Sequence, residues 1–319
     1  MPKFACSLLL PLVLLSLTHA KEVYDAQKIA DLFYQLNGDA KDPHKKINHA
    51  KGFCAAGVFV PDAKVTAQLD IPLLDKQSIP AEVRYSLGGG NLHASDKSKS
   101  RGMALRFGRD AWVMVMTNAP INFAKNAEEF GRFLEIRIPK SGHVDREKIK
   151  RVTQEVQSFR NFAHYMQSVG VTKSVANTRY YSTHTFYFKD KKTQRFLPAR
   201  FSFIPVEGVH NLTNAQLKRM GDDFLEKDFQ EKVAKAPIVY DMVLELAHKN
   251  DPINDTTKLW HGKHEEIKVG QLKVESYSGH GCDGEVFMPA MLPSGVEAPK
   301  DPLFKLRNEV YSITFAKRQ

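Results

Sequence analysis

The sequence predicts an α+β fold in which a closed antiparallel β-barrel carries helical insertions. Short segments in which polar and apolar residues alternate run from about residue 57 to residue 123, separated by turns such as the glycines at 88–90. Stretches with helical periodicity interrupt and follow these strands. Many strands in hairpin order with helices between them fit a barrel better than a pure sandwich.

The elements follow one another along the chain with clear boundaries. The strands are predicted at residues 83–87, 103–107, 112–116, 183–189, 199–205 and 267–274. Helices are predicted at residues 26–36 and 145–169, and residues 214–250 have helical texture. Apolar residues at helical intervals predict a final helix, and they are Leu303, Leu306, Val310 and Ile313.

The first twenty residues have the pattern of a secretory signal peptide. Lys3 precedes an apolar run at residues 8–17 that is too short to span a bilayer, and a small-x-small triplet ends at Ala20. We therefore expect cleavage before Lys21 and a single domain over residues 21–319. The expected location is outside the cytoplasm, with a bacterial periplasm preferred.

Charge and cysteine content limit the classes of partner. The formal net charge is +10, but the lysines are spread along the chain and no nucleic-acid-binding module is evident. A solvated basic surface is therefore expected, without nucleic acid as a partner and without a membrane span. Export permits a disulfide between Cys54 and Cys282, but the usual burial of cysteine favours two free thiols.

The C-terminal segment carries the strongest chemical pattern. Arg307, Tyr311, Thr314 and Arg318 are separated by four, three and four residues, so they share one line of a helix. A guanidinium one turn from a phenol favours the phenolate, and tyrosine is a known axial ligand of haem iron. The pattern predicts a haem-binding tyrosine, whereas a packed core tyrosine is the common alternative.

Four other residues become informative only when they are considered together. His49 lies in a polar stretch, where a solvated surface histidine is the usual alternative. Asn118 precedes an Ala-Pro pair, where an asparagine often only forms a turn. Arg84 and Ser86 alternate on a strand and share a face, and an inward arginine needs an anionic partner.

In order along the chain, these segments resemble the haem catalase superfamily, and more narrowly the short exported catalase-related peroxidases. Eight short matches in one order form a stronger signal than any single match. They are residues 49–52, 83–86, 101–107, 117–123, 182–186, 255–260, 293–297 and the helix pattern Arg307-x-x-x-Tyr311-x-x-Thr314-x-x-x-Arg318. The resemblance implies a catalase-like barrel whose C-terminal helix supplies the haem ligand.

The resemblance also implies catalytic roles. Tyr311 is expected to be the proximal ligand of ferric haem b, kept anionic by Arg307. His49 is expected to take a proton from a bound peroxide as a general base and to return it to the leaving oxygen as an acid. Ser86 would fix the imidazole tautomer, and Asn118 would donate a hydrogen bond to the peroxide.

The remaining residues implied by the resemblance would hold the cofactor. Lys46, Arg84 and Arg318 are expected to contact the haem propionates. Phe123 is expected to cover one porphyrin face, and Thr314 is placed on the cofactor side of the last helix.

The sequence departs from the catalase pattern at several points. Lys46 stands where an arginine is usual, Asn48 where a valine is usual, and Ser312 with Ile313 where a Pro-Asp pair is common. The printed sequence also ends one residue after Arg318, so we expect no NADPH and a monomer or small homo-oligomer.

The function implied is that of a haem peroxidase. It would reduce organic hydroperoxides and hydrogen peroxide with a small organic electron donor, with weak or no catalase activity. One alternative is a fatty-acid hydroperoxide isomerase on the same fold, with which a polar Asn48 is compatible. Another is an exported haem carrier or sensor, which would not need His49, Ser86 and Asn118 together.

Overall fold

A closed ring of eight antiparallel strands forms the centre of the fold. The computed structural model describes residues 23–319, so the predicted signal peptide lies outside the described residues. The strands are β1 Gly52–Pro61, β2 Ile79–Leu87, β3 Arg101–Phe107, β4 Trp112–Thr117, β5 Tyr180–Tyr181, β6 Phe186–Lys189, β7 Phe196–Pro205, β8 Ile238–Leu246, β9 Glu266–Tyr277 and β10 Val296–Glu297. The ring runs β7-β5-β4-β3-β2-β1-β9-β8 and closes when β8 pairs with β7, while β6 and β10 extend beside β7.

The barrel is closed because each strand has one apolar face that it must bury. On β2, Val83, Tyr85 and Leu87 are buried in the barrel core. Successive side chains of a strand point to opposite faces, so Arg84 and Ser86 lie on the outer face of the wall. The alternation predicted from sequence therefore gives this strand an apolar inner face and a polar outer face.

Helices precede, connect and follow the strands of the barrel. They are α1 Ala26–Asn37, α2 Val65–Gln68, α3 Ala127–Glu135, α4 Arg146–Glu155, α5 Gln157–Ser168, α6 Asn214–Arg219, α7 Leu225–Val233 and α8 Pro302–Ala316. Residues of α1 and α8, including Leu32, Phe33 and Leu303, form a separate apolar cluster. Within the described residues, every helix is too short or too polar to cross a membrane.

The predicted fold class is confirmed, but two predicted elements are wrong in part. The helix expected over residues 145–169 is interrupted at Val156, whose extended backbone separates α4 from α5. The helical texture expected through residue 250 ends earlier, because β8 is a strand paired with both β7 and β9. Pairing on both edges supplies hydrogen bonds that outweigh local helix propensity.

A disulfide joins Cys54 to Cys282, so the expectation of two free thiols is wrong. Their Cα atoms lie 5.9 Å apart, within the range that a disulfide spans. The partners are 228 residues apart in sequence, and only the folded chain brings them together. The bridge ties the short 3-10 turn Gly281–Gly284 to β1.

Candidate active site

His49 is held against the outer face of the barrel wall just before β1. Its Nδ1 lies 3.0 Å from Oγ of Ser86 on β2. The neighbouring strand carries Gly102 directly opposite Ser86, and a Cβ added there would lie 2.7 Å from Nδ1 of His49. The imidazole can occupy this position because Gly102 has no side chain.

Arg84 fixes the backbone that carries His49. Its guanidinium donates to the carbonyl oxygens of His49 and Ala50 at 2.8 and 3.0 Å, and to Oδ1 of Asp283 at 2.7 Å. The arginine is 4% exposed, and the disulfide anchors the turn that presents Asp283. This positioning role was missed in the sequence, where Arg84 was predicted only to meet a propionate.

The surroundings of His49 keep its imidazole neutral. Burial disfavours the charged form, and Arg84, Arg307 and Lys46 add positive charge nearby. Together they lower the pKa of His49 to about 4. The side chain therefore has an unprotonated ring nitrogen at neutral pH and can accept a proton.

The C-terminal helix presents Tyr311 through a chain of polar contacts. Arg307 donates to the hydroxyl of Tyr311 at 3.4 Å and to Nε2 of His184 at 2.5 Å. Because His184 accepts on Nε2, its proton is on Nδ1, which lies 2.7 Å from Oδ2 of Asp301. Burial is the main cause that lowers the pKa of His184, with Arg307 contributing, so this imidazole is neutral.

The roles of His184 and Asp301 were not predictable from the sequence. His184 was recognised only as part of a matching segment. Asp301 also accepts from the backbone N–H of Leu303 and is the N-cap of α8. Its position before Pro302 therefore suggests only this common capping role. The contact between the two residues spans 117 positions and leaves no local signal.

Lys46, Arg84 and Arg318 form a basic cluster in which the two arginines are buried and the lysine is half-buried. Burial is the largest cause that lowers the pKa of Lys46 to about 7, and the positive charges of Arg318 and Arg84 lower it further. The Nζ of Lys46 donates to the carbonyl of Glu285, and Arg318 donates to the carbonyl of Asp283 at 3.3 Å. Three cations held so close favour a ligand with carboxylate groups.

The side chain of Asn118 is hydrogen-bonded to backbone groups at both of its polar atoms. Its Oδ1 accepts from the backbone N–H of Arg101 at 2.9 Å, and its Nδ2 donates to the carbonyl of Lys99 at 2.8 Å. The preceding residue, Thr117, pairs with Gly102, which pairs with Ser86. Directly opposed residues share a face, so Thr117 lies on the side of the wall that carries His49.

The other predicted residues have partners within the protein. Phe123 stacks on Phe133 with ring centroids 3.8 Å apart. The hydroxyl of Thr314 donates to the backbone carbonyl of Tyr311 at 3.2 Å. Arg318 lies just beyond the end of α8 and is buried, and its carbonyl accepts from Nδ1 of His44 at 2.6 Å.

The structure thus holds a tyrosine paired with an arginine on its terminal helix and a neutral histidine bonded to a serine of the strand wall, and the charge of that arginine, Arg307, acts on the histidine. The catalase family model matches residues 40–319. The chain belongs to the catalase family. It is 32% identical over 280 residues to a catalase-related peroxidase of Synechococcus elongatus, covering 85% of this chain and 82% of that protein. It is 24% identical to a catalase-related peroxidase of Mycolicibacterium paratuberculosis, covering 83% and 86%.

Solved catalases share the fold over most of this chain. A fungal catalase superposes with a TM-score of 0.76 at 20% identity, covering 86% of this chain and 59% of that one. Catalase A of Saccharomyces cerevisiae gives 0.76 at 19% identity, covering 86% and 61%. The chain therefore spans about three fifths of the length of these catalases.

Proposed function

We propose that this protein is a haem peroxidase that reduces organic hydroperoxides and hydrogen peroxide at the expense of a small organic donor. As a member of the catalase family, it is an oxidoreductase that acts on peroxide. The assignment as a haem peroxidase depends on one observation: the site contains both a tyrosine and a histidine, and each is held by a hydrogen-bonding partner. Tyr311 is supported through Arg307, and His49 is supported on Ser86.

The residues present fit haem b. The phenol of Tyr311 is a ligand type known for haem iron, and an arginine donates to its oxygen. Lys46, Arg84 and Arg318 provide the positive charge that two propionates require. Bound haem supplies the iron that exchanges electrons with peroxide and donor.

The chain's own residues supply the proton chemistry. We assign the proton on Nδ1 of His49 to the hydrogen bond with Ser86, which leaves the lone pair of Nε2 free. Nε2 takes the proton of the hydroperoxide and returns it to the oxygen that departs as the O–O bond breaks. A pKa of about 4 keeps the imidazole in the accepting form at neutral pH. Arg84 holds the backbone of His49 in place during this transfer.

Thr117 is the better candidate for the polar group beside His49. Its position on the strand wall follows from the pairing of β3 with β4, whereas the amide of Asn118 is bonded to backbone on both sides. The hydroxyl of Thr117 donates to the carbonyl of Ala119 at 3.0 Å and retains a lone pair. The role predicted for Asn118 stays a prediction, and we propose that Thr117 orders the peroxide instead.

The isomerase alternative loses the feature that favoured it. Asn48 is exposed, and its Oδ1 accepts from the backbone N–H of Gly89 at 3.1 Å. This asparagine therefore supports the neighbouring turn. A haem carrier remains the competing function, and it needs no supported base such as His49. Export to a bacterial periplasm is part of the proposal and rests on residues 1–20 alone.

The experiment compares His49→Ala with a matched control, His93→Ala, which removes an exposed histidine. Each variant is loaded with haem, its haem content is measured by absorption, and oxidation of a phenolic donor by cumene hydroperoxide is followed. We expect His49→Ala to retain haem and to lose about 100-fold or more in turnover, because a positioned base contributes that much. His93→Ala should match the unmodified protein.

Three outcomes contradict the proposal. Equal donor oxidation by both variants would show that His49 is not the base, and haem binding without donor oxidation in the unmodified protein would favour the carrier. Vigorous oxygen release from hydrogen peroxide without donor oxidation would identify a catalase.

A further inference from the structure

A second group of metal-ligating side chains lies in the connection between β8 and β9. His248, Asp251 and His264 each offer one donor atom, and these atoms all lie within 4.8 Å of one another. Within residues 23–319, the other group of this kind is Cys54, Cys282 and Asp283, whose two sulfurs are consumed in the disulfide. None of the first three residues takes part in the site described above.

The central member, His264, faces two carboxylates. Its side chain is 1% exposed, its Nε2 lies 2.9 Å from Oδ2 of Asp251, and its Nδ1 lies 3.0 Å from Oε1 of Glu245. The approach of Glu245 is too oblique for a hydrogen bond, so the buried Nδ1 has no hydrogen-bond partner. A neutral imidazole carries one ring proton and cannot donate to both carboxylates.

The position of His248 completes a possible coordination set. Its ring stacks on that of His264 with centroids 4.1 Å apart and planes inclined by 22°. Nearly parallel rings cannot both direct a nitrogen lone pair at one ion, so the exposed side chain of His248 must rotate to join an ion held by Asp251 and His264. The carboxylate of Asp251 is fixed in the same turn, because Oδ2 accepts from the backbone N–H of His248 at 2.6 Å.

We propose that His248, Asp251 and His264 bind a divalent transition-metal ion of the Zn²⁺ type. Two imidazole nitrogens and one carboxylate oxygen form a donor set that Zn²⁺ accepts, with a fourth position for water. Two ligand atoms each about 2.1 Å from one metal lie about 3.0–3.4 Å apart. The 2.9 Å between His264 and Asp251 needs only a small adjustment to meet this.

Glu245 and Trp260 support the assignment of His264. A histidine that binds a metal usually donates from its other ring nitrogen to a carboxylate, and a small turn of the His264 ring would align its Nδ1 with Glu245, whose Oε1 is 3.0 Å away. Trp260 packs beside His264 with ring centroids 5.6 Å apart, which shields the buried side of the cluster. His248 is exposed, so the ion enters from solvent. The bound metal would join the turn after β8 to the segment before β9 and stabilise this connection.

The test is a titration of the untagged mature protein with Zn²⁺ after treatment with a chelator, followed by calorimetry and thermal unfolding. We expect saturable binding of one ion and a Tm that rises with Zn²⁺ concentration, because an ion that binds the folded state stabilises it. His248→Ala removes an exposed ligand without disturbing the core, and it should weaken binding at least tenfold. His261→Ala, an exposed neighbour outside the set, is the matched control and should bind like the unmodified protein.

A direct readout comes from Co²⁺, whose visible absorption bands report the ligands around it. We expect bands of a low-coordinate nitrogen and oxygen site that disappear in Asp251→Asn. Absence of saturable binding, or equal affinity in the unmodified protein and His248→Ala, would overturn the proposal. Neither result depends on haem or on peroxidase activity.

Discussion

Replacing Gly102 with alanine tests how the barrel wall sets the position of His49. The added Cβ would lie 2.7 Å from Nδ1 of His49 and 2.8 Å from Oγ of Ser86, whereas ordinary contacts begin near 3.4 Å. The ring would have to retreat from 2.7 Å to at least 3.4 Å, a movement of about 0.7 Å. A misplacement of about 1 Å costs about 100-fold in rate, and overpacking costs about 1–3 kcal/mol of folding free energy.

The assay is donor oxidation by an organic hydroperoxide at matched haem content, together with thermal unfolding. We expect Gly102→Ala to bind haem and to lose between tenfold and 100-fold in kcat/KM. Gly221→Ala adds the same methyl group where no atom lies within 4 Å, so it should change neither quantity. Unchanged kcat/KM in Gly102→Ala, with haem bound and the fold intact, would refute the reasoning that places His49 on this glycine.

Three further predictions concern the same site. Thr117→Val should lower kcat/KM about tenfold with little change in stability. Asn118→Ala should lower the free energy of unfolding by about 1–2 kcal/mol, because a backbone N–H and a carbonyl lose their side-chain partner. Kinetics and denaturant unfolding distinguish the two effects, and the reverse pattern would support the role first predicted for Asn118. Because the pKa of His49 is about 4 and its neutral form is the base, kcat/KM should be constant from about pH 5 to 7 and should fall as pH drops through 4. A fall centred near pH 6.5 would mean that His49 does not have the buried, positively charged surroundings described above. The pKa of Lys46 is about 7, and a propionate favours its charged form, so haem affinity should fall as pH rises from 6 to 9 in the unmodified protein. Lys46→Gln should show a weaker pH dependence when haem binding is titrated by absorption. The same pH dependence in both proteins would exclude Lys46 from the propionate site.

The basic cluster also explains why a carboxylate of the protein lies among its members. Asp283 accepts from Nε of Arg84, and the disulfide holds its turn against β1. An arginine buried to this degree needs a fixed anionic partner whether or not a ligand is bound. The arrangement keeps Arg84, and through it the backbone of His49, in place.

Residue spacing within a single helix or strand was enough to predict the geometry of two parts of the site. Four-residue steps in α8 put Arg307 one turn from Tyr311, and the two-residue period of β2 put Arg84 and Ser86 on one face. These geometries follow from the regular rise and rotation of helix and strand. The α+β barrel was predictable for the same reason, because alternation and turn residues mark most of its strands.

Only the tertiary structure decided which elements meet. The link from His184 to Asp301, the bridge from Cys54 to Cys282, and the strand character of β8 all depend on partners distant in the chain. The choice between Thr117 and its neighbour depends on the register of β4 against β3, since a shift of one residue reverses the face of every side chain. Local spacing carries no information on such pairings, because burial of the whole sheet and its cross-strand hydrogen bonds select them.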